Sequence, residues 1–119
     1  MATNMNQSTI TINVNMDDGR VPASIDWSAT DTTIREPQKA KAMMLSFWDG
    51  QEKTALRIDL WTKDMMVDEM TDFFYQTMMT MADSYGRATR QDGLVAEMKK
   101  FAADFYGKSR AMQADDSKK

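Results

Sequence analysis

The sequence predicts an α+β fold, a four-stranded antiparallel sheet followed by two C-terminal helices packed on one face. In the first half of the chain, apolar and polar residues alternate with the period of two that is typical of strands. In the second half, apolar residues recur every three or four positions, the period of amphipathic helices. The length of 119 residues suits one domain.

We expect that domain to span residues 9–112. Residues 1–8 are expected to be a disordered N-terminus and residues 113–119 a disordered tail, because neither segment carries a recognisable pattern.

The first two strands are predicted to form a hairpin. Residues 9–16 alternate, residues 17–20 form a turn in which Gly19 can adopt a positive φ, and residues 21–27 alternate again. Pro22 lacks an N–H and therefore suits an edge or the start of a strand.

A second hairpin is predicted after a flexible polar loop at residues 28–37. Strands at residues 39–48 and 53–61 flank Asp49-Gly50, and Asp-Gly between apolar runs is a strong hairpin signal.

A two-residue turn in this hairpin would place Met43 opposite Leu56 and would sort the side chains onto two faces. The face expected in the core carries Met43, Leu45, Phe47, Leu56, Ile58 and Leu60. The other face carries Met44, Trp48, Ala55 and Trp61 among the charged Lys53, Arg57 and Asp59. It is too apolar for a fully solvated surface. We therefore expect Met44, Trp48, Arg57, Asp59 and Trp61 to form an interface through which the chain self-associates.

Two helices are predicted in the second half. Asp64 is expected to cap the first helix, and Gly86 to mark the approach to its end. A link at residues 88–91 leads to a second helix capped by Asp92. The predicted core stripe of the first helix is Met66, Met70, Phe73, Phe74, Thr77, Met78, Met81 and Tyr85. That of the second is Leu94, Val95, Met98, Phe101, Ala102 and Phe105.

Composition excludes several classes of function. The chain has no Cys and no His, which removes thiolate nucleophiles, His-based triads and zinc sites built on these ligands. Its 15 Lys and Arg against 18 Asp and Glu leave no cationic excess for nucleic acid. No apolar run is long enough for a membrane span or a secretion signal. We expect a cytoplasmic protein with no enzymatic activity, no cofactor, no membrane insertion and no nucleic-acid partner.

Carboxylates are the remaining candidates for chemistry. A Ca²⁺ or Mg²⁺ site is one interpretation of the acids along the first helix, but their one-turn spacing favours capping and the helix dipole. These acids are Asp64, Asp68, Glu69 and Asp72. Asp26 and Asp59 are the candidates for an acid/base pair, yet nothing in the sequence places them within reach of each other. We therefore expect no metal site and no catalytic residue.

The 13 Met residues are numerous for this length. Core packing is the default interpretation of them, with an adaptable binding surface as the alternative.

The strongest family signal begins at residues 56–65, LRIDLWTKDM. It continues through VDEM at 67–70, FF at 73–74, QT at 76–77, TMAD at 80–83 and RAT at 87–89. These segments resemble the GldC family of gliding-motility proteins, and the resemblance extends more weakly to residues 25–31 and 41–49. It implies a small cytoplasmic accessory protein with no assigned enzymatic activity or cofactor, and it brings no functional residues with it.

We therefore expect a non-enzymatic cytoplasmic accessory protein of the gliding apparatus. It would act through protein–protein interaction with other gliding-motility proteins and as a homo-oligomer. The alternative is a chaperone or peptide-holding module similar to SecB, because four strands followed by two helices is the layout of that fold. A small hydrolase or metal-dependent enzyme is a more distant alternative.

Overall fold

The computed structural model describes residues 6–31, 33 and 36–117. The chain divides into two compact units, Met1–Met65 and Met66–Lys119. The first unit contains the strands and the second contains the helices. The strands are β1 (Ile10–Met16), β2 (Pro22–Ala29), β3 (Gln38–Ala40), β4 (Ala42–Asp49) and β5 (Thr54–Trp61). The helices are α1 (Val67–Thr89) and α2 (Asp92–Ser117).

The strands form two sheets rather than the predicted single four-stranded sheet. One sheet has the order β1-β2-β3 and the other is the β4-β5 hairpin, with antiparallel pairing in both. The predicted third strand is interrupted at Lys41. Its first part pairs with β2, whereas its second part pairs with β5. The period-two pattern predicted extended chain on both sides of this residue but could not reveal the change of partner.

The β1–β2 hairpin forms as predicted, with Pro22 as the first residue of β2. Its turn differs in one respect. Arg20 has the positive φ of 61°, and Gly19 does not. The Asp17 carboxylate holds this conformation, because its Oδ1 accepts the N–H of Gly19 at 2.8 Å and that of Val21 at 3.0 Å.

The loop predicted at residues 28–37 is shorter at its start, since β2 continues through Ala29. The backbone N–H of Thr30 donates to the Thr9 carbonyl at 3.0 Å, and Ser8 donates a side-chain hydrogen bond to Asp31. Residues 32, 34 and 35 of this loop, and residues 1–5 of the predicted disordered N-terminus, lie outside the described residues.

The β4–β5 hairpin is confirmed, but its predicted register is wrong by four residues. Four residues, 50–53, connect the strands, so that Met43 lies opposite Leu60 and Phe47 opposite Leu56. Because an even shift leaves every side chain on its original side of a strand, the predicted division into two faces is retained.

The buried centre of the first unit is small. Among the described residues, Ile25 is 1% exposed and Thr62 is 2% exposed, and they are its largest fully buried side chains. The predicted core face of β4–β5 is buried only in part, because Phe47, Leu56 and Ile58 are exposed near the turn. The prediction that all six residues of this face are core is therefore wrong for Phe47, Leu56 and Ile58, which lie near the turn.

The first helix begins later than predicted. Its N-cap is Met66, and the Glu69 carboxylate accepts the Met66 N–H at 3.1 Å. Asp64 is therefore not the cap, because its carboxylate is bonded to Thr62 instead. Helix α1 passes through Gly86 without ending and stops at Arg90, which has a left-handed conformation and donates its N–H to the Gly86 carbonyl.

The second helix is longer than predicted at its C-terminal end. Only Arg90 and Gln91 separate the helices, and α2 continues through Ser117, beyond the predicted domain end at Met112.

The two helices form an antiparallel hairpin whose contacts lie along small residues. Ala82 and Ala102 are fully buried, and a Cβ added to Gly86 would lie 3.1 Å from Val95 Cγ2. The Tyr75 and Tyr106 rings pack with their centroids 4.6 Å apart. Polar contacts flank this seam, Gln113 to Thr71 at 2.9 Å and Lys99 to Asp83 at 2.7 Å.

The predicted core stripes only partly coincide with this seam. Six of their residues are exposed, Met66, Phe74, Met81, Tyr85, Leu94 and Phe101. The prediction favoured large apolar residues, whereas helices that approach closely do so over small ones. The packing of the helices on one sheet face stays a prediction. Within the described part of the chain, neither helix combines the length and apolarity needed to cross a bilayer.

Candidate protein-interaction surface

The turn of the β4–β5 hairpin is built around Asp49. Its Oδ1 accepts the backbone N–H of Gln51 at 3.0 Å, and its carbonyl accepts that of Lys53 at 2.8 Å. Lys53 takes the positive φ of 57° that closes the turn. In turns, Asp commonly accepts a hydrogen bond from the backbone N–H two residues further along the chain. The Asp49 side chain therefore holds the turn and does not point to a ligand site.

The residues that the sequence predicts to form an interface lie on one face of this hairpin. We call it the Trp face, and its residues are Met44, Trp48, Ala55, Arg57, Asp59 and Trp61. In the observed register Trp61 lies opposite Ala42, Met44 opposite Asp59, and Trp48 opposite Ala55. Trp48 is 69% exposed and Trp61 is 56% exposed. Two large aromatic side chains therefore stand at opposite ends of the face.

An ion pair separates the two tryptophans. Arg57 Nη2 lies 3.0 Å from Asp59 Oδ1 within the same strand, and both side chains are partly open to solvent. Such a pair contributes little to stability because water screens it. It does divide the apolar strip expected from the sequence into two parts. The face thus combines aromatic anchors with a charged centre.

The opposite face of the hairpin is more uniformly apolar. Phe47 and Leu56 form a cross-strand pair, Ile58 pairs with Leu45, and Phe47, Leu56 and Ile58 are exposed. Large aliphatic and aromatic side chains at neighbouring positions of one face make a contiguous apolar surface.

The hairpin is fixed at its far end by a hydrogen-bonded junction around Thr62. The Thr62 N–H donates to the Lys41 carbonyl at 2.7 Å, at the break between β3 and β4. Its hydroxyl lies 2.9 Å from the same carbonyl and 2.6 Å from Asp64 Oδ1. A hydroxyl carries one proton, so Thr62 can donate fully to only one of these two oxygens. The Asp64 carboxylate is closer and charged, and is therefore the stronger acceptor.

The Thr62 hydroxyl also affects the ionisation of Asp64. The hydrogen bond from Thr62, together with one from the backbone N–H of Asp64, holds the pKa of this carboxyl below its usual value of 3.8. The same junction reaches the first hairpin, since the Lys63 N–H donates to the Pro22 carbonyl at 3.1 Å. Lys63 Nζ also lies 3.1 Å from the Asp17 carboxylate.

The other carboxylates singled out from the sequence have structural partners or lie apart. Asp26 pairs with Lys39 at 2.9 Å and accepts from Asn15, and these bonds lower its pKa. Asp59 pairs with Arg57 in the other sheet, so the structure does not pair Asp26 with Asp59. Within the described residues no three acidic side chains are grouped so that they could hold a metal ion.

Sequence reasoning missed the junction and the helix seam. Thr62 follows the apolar residues of β5, and no pattern in the sequence indicates that it is buried. The seam did leave a signal, since Ala82 and Gly86 are small residues one helical turn apart.

Comparison with known families places most of the chain in one family model. The family model described as "Gliding motility-associated protein GldC-like" matches residues 22–111, which is more than half of the chain. The matched region begins at β2 and includes the whole Trp face. No curated protein and no solved structure matches the chain.

Proposed function

Because the chain belongs to the GldC-like family of gliding motility-associated proteins, we propose that it is a non-enzymatic, cytoplasmic accessory component of the gliding apparatus. In this proposal it acts by binding other proteins of the apparatus and by self-association. The family match carries the link to gliding, and the composition of the chain supports the absence of catalysis. The chain has no Cys and no His, and Asp26 and Asp59 lie in separate sheets.

The Trp face is the proposed binding surface for a gliding-apparatus partner. Trp and Arg are enriched among residues that contribute most to protein binding, and truncation of such residues costs ~2 kcal/mol or more. Trp48, Trp61 and Arg57 present these types at exposed positions on one hairpin. A mixture of aromatic anchors and charge is typical of interfaces between proteins that also exist apart.

A peptide-holding function similar to that of SecB is the second candidate. The observation that favours it is the exposure of flexible Met side chains, Met66, Met81 and Met112, beside exposed aromatic residues. It predicts that the purified protein prevents aggregation of an unfolded client at stoichiometric amounts. A component specific for the gliding apparatus has no such general effect.

Genetic complementation tests the proposed function. Gliding cells that lack this gene are supplied with the wild-type protein, with Trp48→Glu or with the matched control Gln51→Glu, which places a carboxylate in the turn between the same strands. We expect the wild type and Gln51→Glu to restore gliding and Trp48→Glu to fail at equal protein levels. Normal gliding without the gene would contradict the assignment to the apparatus. Full rescue by Trp48→Glu would contradict the role of the Trp face.

A further inference from the structure

The outer edge of β5 has no neighbouring strand in the described part of the chain. The β4–β5 sheet has two strands, so β5 is hydrogen-bonded to a strand on one side only. It has eight residues, contains no Pro and keeps an uninterrupted register with β4 from Thr54 to Trp61. Residues 54–59 are all exposed. A long, regular and exposed edge is a surface on which another strand can pair.

The other strand edges in the described part of the chain are less suited to pairing. The register of β1 is irregular at Asn15 and Met16, and β3 has only three residues. Bulges and short strands are features that protect sheet edges from pairing. The strand β4 is as long as β5, but its first four residues are partly buried. The edge of β5 is therefore the more accessible side of this sheet.

The hydrogen-bond pattern shows which groups of β5 point outward. The Thr62 N–H donates to the Lys41 carbonyl, and the same register continues to Asp49 and Thr54. In an antiparallel ladder only every second pair of residues exchanges hydrogen bonds. The even-numbered residues of β5 therefore direct their N–H and C=O groups towards β4. The odd-numbered residues direct theirs away from it. We call these outward groups the β5 edge, and they belong to Ala55, Arg57, Asp59 and Trp61.

A second copy of β5 can bond to all of these groups at one register. When two antiparallel copies of the strand are centred on Ile58, Arg57 of each copy lies opposite Asp59 of the other. Ala55 of each copy then lies opposite Trp61 of the other. Every residue of the β5 edge thus exchanges its N–H and C=O hydrogen bonds with a residue of the other copy.

The charges on β5 select the same register. With Ile58 at the centre, opposite charges face each other at both Arg57–Asp59 positions, which favours pairing. A change of register by two residues would place either Arg57 opposite Arg57 or Asp59 opposite Asp59. Like charges directly opposite each other are unfavourable. The remaining pairs are apolar, Leu56 with Leu60, Ala55 with Trp61 and Ile58 with itself.

From this open edge and its self-complementary charges, we propose that β5 pairs with β5 of a second copy of the chain, about a two-fold axis at Ile58. The two hairpins then form one four-stranded antiparallel sheet, and the two-fold axis closes the assembly. The inference rests on the self-association in the proposed function and locates it at the β5 edge. The Trp faces of both copies lie on one side of the combined sheet and stay open to a gliding-apparatus partner.

Disulfide trapping tests the register directly, because the chain has no Cys of its own. The full chain carries either Ile58→Cys or the matched control Leu56→Cys. These positions share a face of β5, and their side chains are 51% and 55% exposed. In the proposed pair the two copies of position 58 have Cα atoms about 4.5 Å apart, within disulfide range. The two copies of position 56 are offset by about 13 Å along the strands, beyond that range.

We expect mild oxidation to form the covalent dimer at least about tenfold faster from Ile58→Cys than from Leu56→Cys. Equal rates from the two variants would overturn the inference, since random collision would then explain the cross-link. Absence of a covalent dimer from Ile58→Cys would also overturn it.

A charge exchange provides a second test, measured by sedimentation. Arg57→Asp places carboxylates opposite each other at two symmetry-related positions, so it should raise the dissociation constant of the dimer about tenfold or more. Arg57→Asp combined with Asp59→Arg restores opposite charges and should recover the dimer. Unchanged association of the single variant, or no recovery in the double variant while it stays folded, would contradict the proposed register.

Amide hydrogen exchange of the wild type covers the case in which a variant fails to fold. The N–H groups of the β5 edge should exchange at least about tenfold more slowly at concentrations that favour the dimer than after dilution, because pairing protects them. A wild type that is monomeric at micromolar concentration, or a dimer whose β5 edge is unprotected, would overturn the inference. None of these measurements depends on gliding, so this inference and the proposed function fail independently.

Discussion

The buried hydroxyl of Thr62 donates a 2.6 Å hydrogen bond to the carboxylate of Asp64, two residues further along the chain. The backbone N–H of Thr62 binds the Lys41 carbonyl at the break between β3 and β4. One residue thus fixes the end of the β4–β5 hairpin and the orientation of the carboxylate that follows it.

Removing the hydroxyl should destabilise the protein without changing the volume of the side chain. We expect Thr62→Val to lower the free energy of unfolding by about 1 kcal/mol, the usual net contribution of one hydrogen bond. Thr62→Ser retains the hydroxyl and serves as the control for the Asp64 bond. Urea denaturation measures both variants. A Thr62→Val protein as stable as the wild type would show that the hydroxyl bond contributes nothing.

The same bond makes the stability depend on pH in a specific direction. The pKa of Asp64 is lowered in the folded protein, so its contribution is complete above the usual value of 3.8 and is lost as pH falls through the lower folded pKa. Thr62→Val should raise the pKa of Asp64 towards 3.8, because the largest cause of the shift is removed. An NMR titration of the carboxyl carbon measures this, and an unchanged pKa would assign the shift to the backbone hydrogen bond of Asp64 and to the nearby lysines, Lys41 and Lys63.

Two aliphatic positions should respond very differently to truncation. Ile25→Ala should cost about 2–5 kcal/mol, as buried aliphatic truncations do, since Ile25 is 1% exposed. The sequence places Leu56 on the predicted core face, for which truncation would cost as much. Its side chain is 55% exposed, so we now expect a loss of less than about 1 kcal/mol in chemical denaturation. Equal losses at the two positions would contradict the difference in burial.

Two glycines in helices should respond with opposite signs. A Cβ at Gly86 would meet Val95 Cγ2 at 3.1 Å, whereas a Cβ at Gly107 meets nothing within 4 Å. Gly107→Gln should stabilise the protein by about 0.5–1 kcal/mol through helix propensity. Gly86→Gln should destabilise it by about 1–3 kcal/mol, because the helices must separate. Thermal or urea unfolding checks the pair, and stabilisation by both changes would show that the seam at Gly86 is loose.

Local periodicity predicted most strands and both helices, and it also preserved the two faces of the β4–β5 hairpin. The four-residue loop after Asp49 changed the predicted partners of Met43 and Phe47 but not their faces, because the shift is even. The break at Lys41 could not be predicted, since extended residues look the same whichever strand they pair with. The sequence favours Asp64 as the helix cap, because Asp is a common N-cap residue. In the structure the Thr62 hydroxyl donates to the Asp64 carboxylate instead.

The sequence predicts which residues lie on the Trp face, because this depends on the alternation of side chains along the strands. It does not predict the contacts that depend on side-chain packing. Exposed Trp48 and Trp61 follow from the alternation along the two strands. The Arg57–Asp59 ion pair depends on the rotamers of both side chains, and the sequence does not determine these rotamers. Side-chain size predicts the exposed stripe of α1 to be core, whereas the helices approach each other closely over the small residues Ala82, Ala102 and Gly86.

The central claim is that the Trp face binds another protein of the gliding apparatus, and affinity capture from gliding cells tests it most directly. Tagged wild-type protein, Trp48→Glu and the matched Gln51→Glu are recovered from cells that make equal amounts of each, and co-purifying proteins are quantified by mass spectrometry. We predict that a gliding-motility protein co-purifies with the wild type and with Gln51→Glu and is lost from Trp48→Glu. Equal recovery of the same proteins by all three, or recovery of no gliding-motility protein by the wild type, would contradict the account.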